Sequence, residues 1–217
     1  MTTRAGVALL ALRPTLRAMP WLPLLGSAAS AGVAMWLIDP AAGDGRALVA
    51  LRVTAFLLAL GAAFALDDPA STTLAGSPSP LAVRRSHRVL PASAAWALCW
   101  GAAVGGTAVA ADSTPLGLPT LEAAGMLALA LAFAAVAGPH TPDGRGGVVA
   151  GPALTIAMLG ILMVQYRYPR WATMFALSPA MPEWDGERLR WTALLAGAIA
   201  ALIAASLDPF RARRRPA

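Results

Sequence analysis

Few side chains in this sequence could do chemistry. There is one cysteine, Cys99, and there are two histidines, His87 and His140, too few for a zinc ribbon, an iron–sulfur site or a disulfide framework. All 17 basic residues are arginine. Without lysine there is no Walker A phosphate loop, no pyridoxal Schiff base and no lysine general base. Cys99 lies between Leu98 and Trp100 and reads as packed core; His87 falls in an arginine run and His140 in a Pro/Gly loop, so neither resembles a haem or metal ligand. No cofactor is expected. The residues that stand out are Arg52 and Glu122, each inside an apolar run. Arg52 sits about six residues in from the end of its run, roughly 9 Å at 1.5 Å per residue, and Glu122 lies at a similar depth from the same side. Two readings are open: the two pair near the outer leaflet, or Arg52 snorkels to the surface.

The elements that position them follow from composition. Of 217 residues, 58% are apolar and 13% charged, whereas a soluble domain carries about a quarter charged residues. An all-α, polytopic membrane protein is expected, with no separate soluble domain. Six runs reach the ~20 residues needed to cross the hydrocarbon layer: about 21–38, 47–66, 89–111, 119–138, 148–165 and 191–207. Asp39-Pro40, Asp68-Pro69, Gly138-Pro139 and Asp208-Pro209 each stand where an apolar run stops. A cleaved signal peptide is the competing reading of the first 38 residues, with Ser27-Ala28-Ala29 as the cleavage look-alike. The late start of that apolar run favours a retained span.

Arginine placement sets the expected orientation. Eleven arginines fall before the first span, between spans two and three, between four and five, or after six; five fall on the other side, and Arg52 lies within a span. Both termini are therefore expected in the cytoplasm and the chain in the inner (plasma) membrane. Over Thr2–Met19, Leu9, Leu12 and Leu16 share a stripe beside Arg13 and Arg17, the pattern of a short helix lying in the interface.

Two connections carry information. In the cytoplasmic loop 67–88, Asp67 is followed by Asp68, a good N-cap, by Pro69 at the first helical position, and later by Gly76, a good helix stop. A helix of about two turns is expected there, offering Ser71, Thr72 and Leu74 to a partner. Ser79-Pro80 then repeats the start signal for a helix carrying Arg84, Arg85 and Arg88 into span three, where they would meet acidic groups or anionic lipid heads. The outer connection 166–190 is rich in aromatics, among them Trp171, Phe175 and Trp184. A short helix over Arg170–Leu177, stopped by Ser178-Pro179, could plug a translocation path. An aromatic belt at the lipid–water boundary is the alternative.

This layout resembles the membrane half of type-two ABC exporters. Phe64-Ala65-Leu66-Asp67-Asp68-Pro69-Ala70, with Ser79-Pro80-Leu81 and Arg84-Arg85 after it, is also similar to small six-span membrane proteins of high-GC actinobacteria that accompany ABC ATPases. The resemblance covers most of the chain but rests on topology and one loop. It implies a permease of two six-span halves, the second half being the same or a homologous chain. It also implies a coupling helix in loop 67–88 that docks on a soluble ABC ATPase, and export of an amphiphile, lipid or peptide. It implies no activity of the chain as an enzyme by itself, and no nucleic acid as a partner. A non-catalytic accessory or scaffolding subunit is the main rival. A membrane-embedded enzyme would need paired acids, a histidine cluster or a Ser/His arrangement at one depth, and the polar inventory is thin.

Overall fold

In lipid, a run of apolar residues satisfies its own backbone only as a helix or a closed barrel. Here every long run is helical. The computed structural model describes residues 16–67, 81–111, 114–141, 144–168, 173–176 and 184–207. The six long helices are α1 (Trp21–Ile38), α2 (Asp44–Ala63), α3 (Leu81–Ala110), α4 (Gly117–Ala137), α5 (Gly146–Arg167) and α6 (Trp184–Ser206). All six are long and apolar enough to cross a membrane, and there is no strand among the described residues. The chain is a multi-pass, all-helical membrane protein.

The boundaries refine the apolar runs. Asp39 closes α1 in a left-handed conformation (φ 52°), its N–H donating to the Met35 carbonyl. Leu81, the residue after Ser79-Pro80, opens α3, which carries Pro91 in its interior. Gly138-Pro139 tightens the end of α4 into a 3-10 turn instead of stopping the chain there. Helix α6 begins at Trp184, seven residues before the expected run. Its first turns are charged, so hydropathy alone hides them. Of the interfacial helix expected over Thr2–Met19, only the last residues are described: 16–18 are helical, and Met19 is buried against Ala65 and Ala92.

Successive helices alternate in direction, and α2 and α4 form the centre. Their facing sides are mostly alanine, which allows close approach: Ala55, Ala59 and Ala62 of α2 and Ala123, Ala130 and Ala134 of α4 are buried. Helices α1 and α3 pack on α2, while α5 and α6 pack on α4. One contact depends on glycine: a Cβ at Gly125 would lie 2.7 Å from Trp191 Cε3, so Gly125 seats the Trp191 ring against α4. Around this centre, Leu22, Trp36, Leu98, Val109 and Ile156 point outward, exposed. In water that surface would be a liability, and in a bilayer it is the solvated face.

Candidate functional site

Arg52 stands eight residues into α2, roughly 12 Å from its start. It is buried, which removes the snorkelling reading. Its Nε donates to Glu122 Oε2 and its Nη2 to Glu122 Oε1, both at 2.7 Å. This is the two-pronged geometry in which an arginine–carboxylate bond is strongest. Glu187, in the first turn of α6, is the third member, its Oε1 accepting from the same Nη2 at 3.2 Å. Glu122 and Glu187 are both fully buried. The positive end of the α6 dipole lies at Glu187, which favours a carboxylate there.

This cluster holds a piece of non-helical backbone inside the bundle. Residues 173–176 form no helix, contrary to the short helix expected over Arg170–Leu177; residues 169–172 and 177 lie outside the described set. The reason is local. Every polar backbone group from the Thr173 carbonyl to the Ala176 carbonyl is taken by a side chain. Arg190 donates to the Thr173 carbonyl. Gln165 Oε1 accepts from the Met174 and Phe175 N–H groups, both at 3.0 Å, and Gln165 Nε2 donates to the Phe175 carbonyl at 3.3 Å. Trp191 Nε1 donates to the Met174 carbonyl at 2.7 Å. Finally the Ala176 N–H donates to Glu187 Oε2, and Arg52 Nη1 donates to the Ala176 carbonyl, both at 2.8 Å. Irregular backbone beside apolar helices is tolerated only when satisfied in this way. The Phe175 ring packs under the Arg52 guanidinium, 5.2 Å from centroid to Cζ, and against Trp191.

Beside the clamp runs a groove of about 590 Å³ between α2 and α5, floored by Met126 of α4. Val53, Phe56, Met158, Leu159 and Leu162 make its apolar walls. Its polar end is built from Arg52, Gln165 and the Thr173–Ala176 segment.

The opposite end of the bundle carries the other predicted residues. Asp67 follows the 3-10 turn after α2 and accepts from the Gly147 N–H through Oδ1 at 2.6 Å. A Cβ at Gly147 would meet Phe64 Cα at 2.7 Å, so only glycine admits this approach. Burial pushes the Asp67 carboxyl up from its ordinary 3.8, against the lowering effect of the Gly147 bond and of Arg145 and Arg88. Arg84, Arg85 and Arg88 occupy the first two turns of α3. Arg85 donates to the Ala205 and Ala135 carbonyls, in the last turns of α6 and α4, and Arg88 donates to the Asp67 carbonyl. Arg85 and Arg88 thus spend donors on the chain's own backbone. Helix C-terminal carbonyls lack intrahelical donors, and Arg85 and Arg88 supply them. Asp68, Ser71, Thr72 and Leu74 lie outside the described residues, as does Trp171.

The structure thus joins Arg52, Glu122 and Phe175 in one site and places Trp184 at the start of α6, packed on the core. Sequence reasoning missed Glu187, Gln165, Arg190 and Trp191. Gln165 closes an apolar run, Glu187 and Arg190 sit in what read as a solvated connection, and Trp191 opens the sixth apolar run. Among the described residues no three His, Cys, Asp or Glu side chains group as a metal site. Comparison with known proteins returns no matching family model, no matching curated protein and no matching solved structure.

Proposed function

We propose that this chain is the permease half of an ABC-type exporter in the inner membrane. In this reading both termini face the cytoplasm and a soluble ATPase docks on loop 67–88. The observation that carries it is the clamped segment 173–176 beside the groove. Non-helical backbone among spanning helices is tolerated only where it is buried in protein or lines a cavity, and this segment borders the groove. In this reading the segment plugs the path on the outer side, and the 11-to-5 arginine bias supplies the orientation. The chain has no lysine and no glycine-rich phosphate loop, so the energy comes from the partner.

The accessory-subunit reading has one observation in its favour. Arg85 and Arg88 are spent on the chain's own carbonyls, which leaves loop 67–88 less charge to offer a partner. Copurification in mild detergent separates the two. Asp68→Ala should remove the N-cap and weaken ATPase retention by about 1 kcal/mol. Thr72→Pro should weaken it more, since an interior proline costs a helix about 3 kcal/mol. A matched substitution in the Asp143–Gly146 loop, between α4 and α5, is the control. If the Thr72 variant keeps an ATPase and its transport as well as this control does, the accessory reading takes over.

A further inference from the structure

The groove between α2 and α5 opens sideways. Val49, Leu159 and Leu162 line it and are 39%, 53% and 45% exposed, so its mouth is continuous with the surface that faces lipid. At about 590 Å³ it lies in the range of sites that hold one small organic ligand. Its walls are aliphatic, aromatic and methionine side chains with Thr155 among them, its hydroxyl donating to the Gly151 carbonyl, and methionine adapts to flexible chains.

The polar end decides what kind of head fits. Arg52 has five N–H bonds, and its four hydrogen bonds leave one on Nη1. Gln165 Nε2 donates once, to the Phe175 carbonyl, and keeps a second N–H. The groove therefore offers spare donors. It does not offer net positive charge, because two buried carboxyl groups already share the one guanidinium. A free carboxylate or phosphate would meet those acids, and the other cation of the clamp, Arg190, does not line the groove. An ester carbonyl or a hydroxyl meets the donors without that penalty.

We infer that the groove binds the alkyl chain of a single-chain, electrically neutral amphiphile drawn from the bilayer, its accepting head against Arg52 and Gln165. This names a substrate class for the transport reading and rests on it for the ligand's purpose. The binding itself is tested without any ATPase.

The probe is a monoacylglycerol with a diazirine near the end of its chain, photolysed with the full chain in lipid nanodiscs and mapped by mass spectrometry. Label should concentrate on peptides containing Met126 and Met158. Filling the groove with Met158→Trp, or with Leu162→Trp, should cut that label at least tenfold, while Leu98→Trp on the outer face of α3 leaves it unchanged. Thermal unfolding of each variant confirms that it is folded. Unlabelled monoacylglycerol should compete, and excess phosphatidylcholine should not. The inference fails if label spreads evenly over the exposed faces of α1 and α3, or if phosphatidylcholine competes equally. It also fails if a fatty-acid or alkylamine probe of equal length labels the groove as well as the neutral one. A parent chain that takes no groove label yet retains an ATPase would sink this inference and leave the permease reading standing; one that takes the label but retains no ATPase would do the opposite.

Discussion

The two ends of the bundle solve the same problem with opposite charges. At the Asp67 end, Arg85 supplies donors to the last turns of α4 and α6, where carbonyls and the negative end of the dipole are exposed. At the Arg52 end, Glu187 supplies an acceptor in the first turn of α6, where the dipole is positive. The difference lies in what is left over. At the Asp67 end, Arg85 ties the last turns of α4 and α6 together and Arg88 holds the carbonyl that follows α2. The acids at the Arg52 end overfill one guanidinium and reach past the helices to hold an irregular segment. One end is a seam, and the other is a holder for something that is not a helix.

The sharpest break of this contrast is Arg52→Met. It leaves Glu122 and Glu187 buried around no guanidinium and releases the Ala176 carbonyl. Removing one partner of a buried ion pair costs about 3–5 kcal/mol, to be read from unfolding in detergent micelles. Adding Glu122→Leu and Glu187→Gln should restore much of that loss. A triple variant no better than Arg52→Met would mean the cluster is not held by its charges. A smaller effect is expected at the seam. Arg85→Ala should cost about 1–2 kcal/mol, the upper range for a cation at helix C-termini, without altering the groove label described above. An equal loss of label would show that the two ends are not independent.

The smallest effect is a pH dependence at Asp67. Burial raises its carboxyl above 3.8 in the folded chain, so the folded state holds this proton more tightly than the unfolded one. Stability from this group is full below pH 3.8 and is lost as pH rises through the raised value. Asp67→Asn keeps an acceptor for Gly147 and has nothing to ionise. It should match the parent near pH 3 and gain on it above that window. A variant that lost ground as pH rose would reverse the assignment.

Six helices were legible because length and apolarity suffice to define a span. The groups that define the clamp were harder to see. Arg52 and Glu122 stand out against apolar neighbours, so both could be named. Glu187 sits among Asp185, Arg188 and Arg190 and looks solvated; its burial follows from α6 starting at Trp184, which an apolar-run criterion cannot detect. Gln165 looks like the ordinary polar end of a span. The segment 173–176 read as a helix because nothing in Thr-Met-Phe-Ala opposes one. Its actual shape is dictated by partners 9 to 124 positions away in the chain.

The clamp grips main chain, and that has a consequence for how this protein can vary. Carbonyls and N–H groups are the same in every residue but proline, so position 174, whose side chain is only half-buried, is freer to drift than the residues that hold it. Substitutions at Gln165, Glu187, Arg190 or Trp191 would each strand backbone groups, and one at Arg52 would strand acids as well. In a saturation library, tolerance should therefore run opposite to distance from the segment. Met174 should accept most replacements except proline, and the distant residues that hold the segment should accept almost none.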